Sequence, residues 1–143
     1  MTADLDAAIL SPDHYRFWIE DRVRFADLDA LGHCNSAVYS TYFESARVAL
    51  LELVGHPVIG RATSFAIVRQ VIDYRRELAM DARLRIGTRV TKLGRTSVGL
   101  VNAVFEGEAC AATAEILGVV LSMATRRPVE LPADLRERLS AYA

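Results

Sequence analysis

The stretch AVYSTYFESARVALLELV, residues 37–54, decides the fold. Its apolar residues recur at helical spacing: Val38, Tyr42, Ala46, Ala49 and Leu53 form one stripe, with Tyr39, Phe43 and Leu50 flanking it. So wide an apolar face predicts a helix wrapped on several sides. Asn35 or Ser36 is placed to cap its first turn, and Gly55 followed by Pro57 to end it. On either side of this helix the period is two. Upstream, residues 16–25 alternate, with Phe17, Ile19, Val23 and Phe25 on one face and Glu20, Arg22 and Arg24 on the other. Downstream, residues 65–77 place Val68, Ile72 and Tyr74 together, and residues 83–93 set Leu84, Ile86 and Val90 against Arg83, Arg85 and Arg89. Residues 96–105 follow across a Gly94-Arg95 turn that suits a tight hairpin, and Gly107 centres the next turn. Residues 110–124 are nearly all apolar, which predicts a strand covered on both faces. Leu131-Pro132 then opens a short helix with Leu135, Leu139 and Tyr142 inward.

The order is strand, long helix, then four strands joined by short links. Links this short make the sheet antiparallel, and one long helix must cover one of its faces. The expectation is a single α+β domain over residues 1–143, with residues 1–13 and the last few positions as frayed ends. Seventeen basic against eighteen acidic residues leave a net charge of -1, so nucleic acid is not an expected partner. No apolar run reaches the roughly 18 residues of a membrane span, and residues 1–10 lack the basic cluster of a secretory signal. A cytoplasmic location follows as an expectation, with Cys34 and Cys110 as reduced thiols. Neither cysteine stands in metal-ligand spacing with His14, His33 or His56, so no metal is expected.

Polar chemistry concentrates in residues 27–36, DLDALGHCNS, at the mouth of the helix. Asp27, Asp29, His33 and Asn35 lie just before the unpaired N–H groups of the helix start near Ser36 and Ala37, which favour negative charge. An acid or base beside preorganised donors is the minimum for acyl transfer. Asp29 and Asn35 could equally satisfy loop backbone, as these residues often do. Asp27 reads as a turn or ion-pair residue, and Glu44 as a helix-surface partner of Arg47. Cys34 beside His33 suggests a nucleophilic dyad, but chain neighbours seldom point their side chains at each other.

VRFADLDALGHCNSAVYSTYFESAR, residues 23–47, resembles the signature of the 4-hydroxybenzoyl-CoA thioesterase-like branch of the hotdog superfamily: acid-x-acid, Gly-His-x-Asn, then a tyrosine-rich helix carrying Glu-x-Ala-Arg. Plant acyl-carrier-protein thioesterases carry a similar string. Cys34 stands where valine is usual, and Ser36 replaces a second asparagine. The resemblance implies the hotdog fold, an antiparallel five-stranded sheet wrapped around one long helix. It implies thioester hydrolysis without metal or organic cofactor, Asp29 matching the catalytic carboxylate as general base or nucleophile. Ser36 matches the helix start whose backbone N–H polarises the thioester carbonyl, and His33 and Asn35 match positioning residues. Arg69, Lys92, Arg95, Arg126 and Arg127 are candidates for coenzyme A phosphates, or simply solvated strand-edge charges, and Arg95 in the Gly94-Arg95-Thr96 turn is the best of them.

The implied reaction is hydrolysis of a short- or medium-chain or aryl acyl-CoA. An acyl carrier protein thioester is the other candidate substrate. Two alternatives stay open: a hotdog dehydratase or hydratase acting on a hydroxyacyl thioester, and a non-catalytic acyl-thioester-binding domain. A five-stranded sheet leaves an edge unpaired, so a homodimer or homotetramer is expected.

Overall fold

The computed structural model describes residues 7–57 and 61–143. Five strands form one sheet: β1 (Phe17–Arg22), β2 (Thr63–Tyr74), β3 (Arg83–Leu93), β4 (Ser97–Glu106) and β5 (Ala109–Ser122), in spatial order β1-β3-β4-β5-β2. All four pairings are antiparallel. Helix α1 (Val38–Leu53) covers one face, and the short helix α2 (Ala133–Ser140) packs beside it. This is the antiparallel sheet with one covering helix that the element order and short links predict, and the hotdog arrangement that the resemblance implies. No described helix is long and apolar enough to cross a membrane.

The core lies between α1 and the inner sheet face. Tyr42, Phe43, Ala46 and Leu50 meet Leu84, Ile86, Val104 and Val120 there, all at most 2 % exposed. The buried side of α1 is rotated from the expected stripe: Tyr39, Tyr42, Phe43, Ala46, Leu50 and Leu51 are inside, whereas Leu53 is 59 % exposed. Burying a large aromatic contributes about 1.5–3 kcal/mol, so Tyr39 and Phe43 pull the helix toward themselves at the expense of Ala49 and Leu53.

β3 runs over the expected residues, with Leu84, Ile86 and Val90 inside. β2 departs from its expected face. A bulge at Val68 breaks the register between Ile67 and Arg69, leaving Val68 56 % exposed, while Ile72 still packs on the core. β1 stops at Arg22, and Phe25 turns outward at 81 % exposure in a 3₁₀ turn, Phe25–Asp27. β5 is covered on both faces over most of its length.

The N-terminal part expected to fray instead covers the outer sheet face. Ile9 and Tyr15 pack on Val101, Ala103 and Phe105, and the Tyr15 hydroxyl donates to the Ile9 carbonyl at 2.7 Å. Gly87 makes this possible, because a Cβ there would meet the Tyr15 ring at 2.6 Å. Residues 1–6 lie outside the described residues.

His56, just past α1, is 2 % exposed, and neither ring nitrogen has a hydrogen-bond partner among the described residues. Burial, with Arg61 second, lowers its pKa from 6.5 against the opposing pull of Asp134. The unfolded chain therefore takes up this proton first as pH falls. The stability that His56 contributes is complete above about pH 6.5 and is lost as pH drops through the lower folded value. Replacing His56 by Leu is expected to flatten the fall in Tm between pH 7 and 5; identical slopes in both proteins would contradict this.

Candidate active site

Between β1 and α1 the chain folds into a small hairpin. Leu28 bridges Cys34, the Asn35 N–H donates to the Asp27 carbonyl at 2.8 Å, and the Asp29 N–H donates to the His33 carbonyl at 2.8 Å. The tip closes through the Gly32 N–H to the Asp29 carbonyl at 3.1 Å, with Gly32 at φ +80. A side chain in that left-handed conformation costs roughly 1–2 kcal/mol. Gly32→Ala is therefore expected to lower stability by about 1 kcal/mol and to reduce turnover by displacing Asp29. Unchanged melting and unchanged kcat would remove that link.

Asp29 satisfies loop backbone, as the sequence allows. One oxygen, Oδ1, accepts from the backbone N–H groups of Leu31 at 2.8 Å and His33 at 3.3 Å, which pins the carboxylate to the loop. Among the described residues no protein donor reaches Oδ2. The half-buried side chain is thus held in one orientation with one oxygen free to work.

Asp27 is tied elsewhere through one oxygen. Its Oδ2 accepts from the Arg24 N–H and from the Tyr42 hydroxyl, each at 2.9 Å, with the Arg24 guanidinium 3.6 Å away. Burial first, then hydrogen bonds to Cys34 and Asp27, push the Tyr42 pKa far above its ordinary value. Tyr42 is therefore a fixed donor that ties the first acid to the helix. The Cys34 thiol lies 3.6 Å from the Tyr42 hydroxyl. Burial raises its pKa, and the Asp27 and Asp29 charges raise it further against the opposing Tyr42 hydrogen bond. A protonated thiol turned toward Tyr42 cannot form a nucleophilic dyad with His33. Native Cys34 is expected to react with a thiol reagent at neutral pH far more slowly than in denaturant; equal rates would contradict its burial.

His33 points at Glu77, Nε2 to Oε2 3.3 Å, and its main chain bridges Ala79 ahead of β3. The Asn35 side chain accepts from the Ala37 N–H at 3.0 Å, and its carbonyl from Val38 at 2.9 Å, so Asn35 organises the helix start. The Ser36 N–H has no acceptor among the described residues, while the Ser36 carbonyl accepts from the Tyr74 hydroxyl at 2.8 Å. Tyr74, on β2, was expected only as part of a strand face with Val68 and Ile72, and Glu77 was not singled out. Their roles depend on contacts across the fold, and no local pattern marks them.

Arg95 is not brought to this loop within one chain. It follows the last residue of β3, whereas the acidic hairpin sits by the first, and eleven strand residues span about 35 Å. There Arg95 pairs with Glu130 at 3.4 Å, and both border an open 430 Å³ hollow beside α2. Glu44 and Arg47 approach to 3.6 Å on the helix, as their spacing predicts. Among the described residues no group of three or more His, Cys, Asp or Glu is placed to hold a metal ion.

Known proteins share this fold. The crystal structure of the PA5185 protein from Pseudomonas aeruginosa superposes with a TM-score of 0.87 at 30 % identity, covering 92 % of this chain and 94 % of that one. A Thermus thermophilus thioesterase complexed with coenzyme A and Zn gives a TM-score of 0.75 at 30 % identity, covering 87 % and 98 %. YsmA of Bacillus subtilis is 26 % identical over 127 residues, 87 % of this chain and 86 % of that protein. The sequence matches the thioesterase-like superfamily over residues 23–139, which spans the acidic hairpin, α1 and every strand after it. With the fold, the hairpin and the helix start in agreement, this chain belongs to the thioesterase-like superfamily.

Proposed function

We propose that this enzyme hydrolyses an acyl-CoA carrying a short, medium or aryl acyl group, with Asp29 as the carboxylate that activates water or attacks the carbonyl. The observation that carries the reading is the split use of Asp29: Oδ1 is anchored by the Leu31 and His33 N–H groups, and among the described residues no protein donor reaches Oδ2. A carboxylate held this way loses little orientational freedom when substrate arrives. The Ser36 N–H at the start of α1 supplies the donor for the thioester oxygen, where charge develops in the transition state. Asn35 and the Tyr74 hydroxyl hold that donor in place. The coenzyme A bound by the Thermus relative supports a CoA thioester over a carrier-protein thioester. Incubation with crotonyl-CoA separates hydrolysis from hydration: hydrolysis releases free thiol, whereas a hydratase removes the double bond and releases none. Loss of the enoyl absorbance without thiol would replace this reading by the hydratase.

The working unit is a homodimer joined through β2. This strand is a sheet edge, and Ile67, Val68, Val71 and Tyr74 on it are between 36 % and 56 % exposed. An exposed apolar edge seeks a partner strand. Antiparallel pairing of two β2 strands turns the second copy end for end. Its Arg95-bearing end then lies on the side of this chain's Asp29, which reconciles their separation within one chain. Arg95→Glu is expected to raise KM for acyl-CoA with kcat little changed, the pattern of lost uniform binding. An unchanged KM moves the phosphate contacts elsewhere, and a sedimenting species of one chain at micromolar concentration would remove the dimer.

A further inference from the structure

The outer sheet face carries a groove of about 750 Å³, remote from the acidic hairpin and unused by the reaction above. The strand register builds it in two rows. Arg69 on β2 pairs with Leu117 on β5, which pairs with Gly99 on β4, which pairs with Lys92 on β3. In the neighbouring row Val71 pairs with Glu115, Glu115 with Val101, and Val101 with Arg89. Leu117, Gly99 and Val101 thus make an apolar floor, walled on one side by Ile9. Arg89 and Lys92 gather at one end. Arg69 faces them across three strand spacings, roughly 14 Å.

These cations are not spent on the fold. Among the described residues none of the three lies within 4.0 Å of an acidic group. Arg69 and Lys92 are exposed, and Arg89 donates to the His14 carbonyl at 3.2 Å, which fixes its position without neutralising it. Among the described residues, Glu115 is the only acidic side chain lining the groove. Arg89 also helps to lower the pKa of His14, second to burial, as a positive potential there requires.

We infer that this groove binds a single-chain carboxylate, its head at Arg89 and Lys92 and its alkyl tail along Gly99, Val101 and Leu117. The volume falls within the 300–1,000 Å³ of small-molecule pockets. A lone ion would leave the apolar floor wet. A second copy on a two-fold axis would set these cations against their own images, and like charges opposed across an interface cost several kcal/mol. A flat lipid surface does not fit a trough walled by Ile9 and His14. The ligand class resembles a product of thioester hydrolysis, but the inference does not depend on that reaction.

The test is titration of the full chain with sodium dodecanoate below its micellar range, followed by amide NMR. Dodecyltrimethylammonium and acetate serve as controls for head and tail. The expected result is one saturable dodecanoate site that moves the Gly99 and Leu117 amides and leaves Ser36 and Ala37 in place. Lys92→Glu, exposed and outside the reaction site, is expected to weaken binding by about tenfold or more. Absence of saturation, equal binding of the cationic amphiphile or of acetate, unchanged affinity in Lys92→Glu, or shifts confined to Ser36 and Ala37 would each overturn the inference. Thiol release does not enter these readouts, so this site and the proposed activity fail independently.

Discussion

Asp29→Asn is expected to fold as the parent does and to lose about 10²–10⁴-fold in kcat, the contribution typical of one general base. That is roughly 3–5 kcal/mol of barrier. The fold survives because an asparagine oxygen can take over the work of Oδ1, accepting from the Leu31 and His33 N–H groups. The amide nitrogen then stands where Oδ2 was, and it can neither take a proton from water nor attack a carbonyl. Asp27→Asn is the matched control. It keeps an oxygen for the Tyr42 hydroxyl and the Arg24 N–H, so it is expected to cost less than about tenfold in kcat. If Asp29→Asn retains more than a tenth of the parent kcat with matched circular dichroism and Tm, the catalyst is another carboxylate. Glu44, exposed and paired with Arg47, is the next to test.

Phe43→Ala is expected to produce the largest loss of stability, about 3–5 kcal/mol, because a ring at 0 % exposure leaves a cavity between α1 and the sheet. Against a total stability of about 5–15 kcal/mol this is a large share, and Tm should fall on the order of 10 °C. Leu53→Ala, on the same helix, is expected to change stability by less than about 0.5 kcal/mol, since Leu53 is 59 % exposed. Thermal denaturation of both variants checks the rotation of α1. Comparable losses would mean that the helix presents the face centred on Leu53.

Local pattern was enough wherever it was undisturbed. β3 alternates without interruption until its bulge near Thr91, and its limits and inward face are read directly from residues 83–93. The long helix shows in its period, but the period leaves the azimuth open by about one residue. The sheet settled that, drawing in the aromatic side chains. β2 was misread on one face because a bulge adds a residue that alternation does not reveal. Residues 1–13 were expected to fray, yet Gly87 leaves a seat for Tyr15 on the outer face, which Ile9 joins. That contact joins residues far apart in sequence.

The candidate site divides along the same line. The acids, the asparagine and the helix start fall within one short run, so their proximity was legible. The contacts that distinguish Asp27 from Asp29 were not, because they depend on the Tyr42 hydroxyl reaching Asp27 from the helix and on the Leu31 and His33 N–H groups turning to Asp29. Tyr74 reaches Ser36 from the far strand of the sheet, and nothing in its own neighbourhood announces it. Arg95 was grouped with the site by charge alone. The strand order puts it at the opposite end of the chain's sheet.

The most direct test of acyl-CoA hydrolysis is the rate of free-thiol release by the parent protein across acetyl-, hexanoyl-, decanoyl- and benzoyl-CoA, measured against a blank without enzyme. Catalytic thiol release is expected from at least one of them, abolished or nearly so by Asp29→Asn and retained by Asp27→Asn. No release above the blank from any member of the panel, with a folded protein, would contradict it.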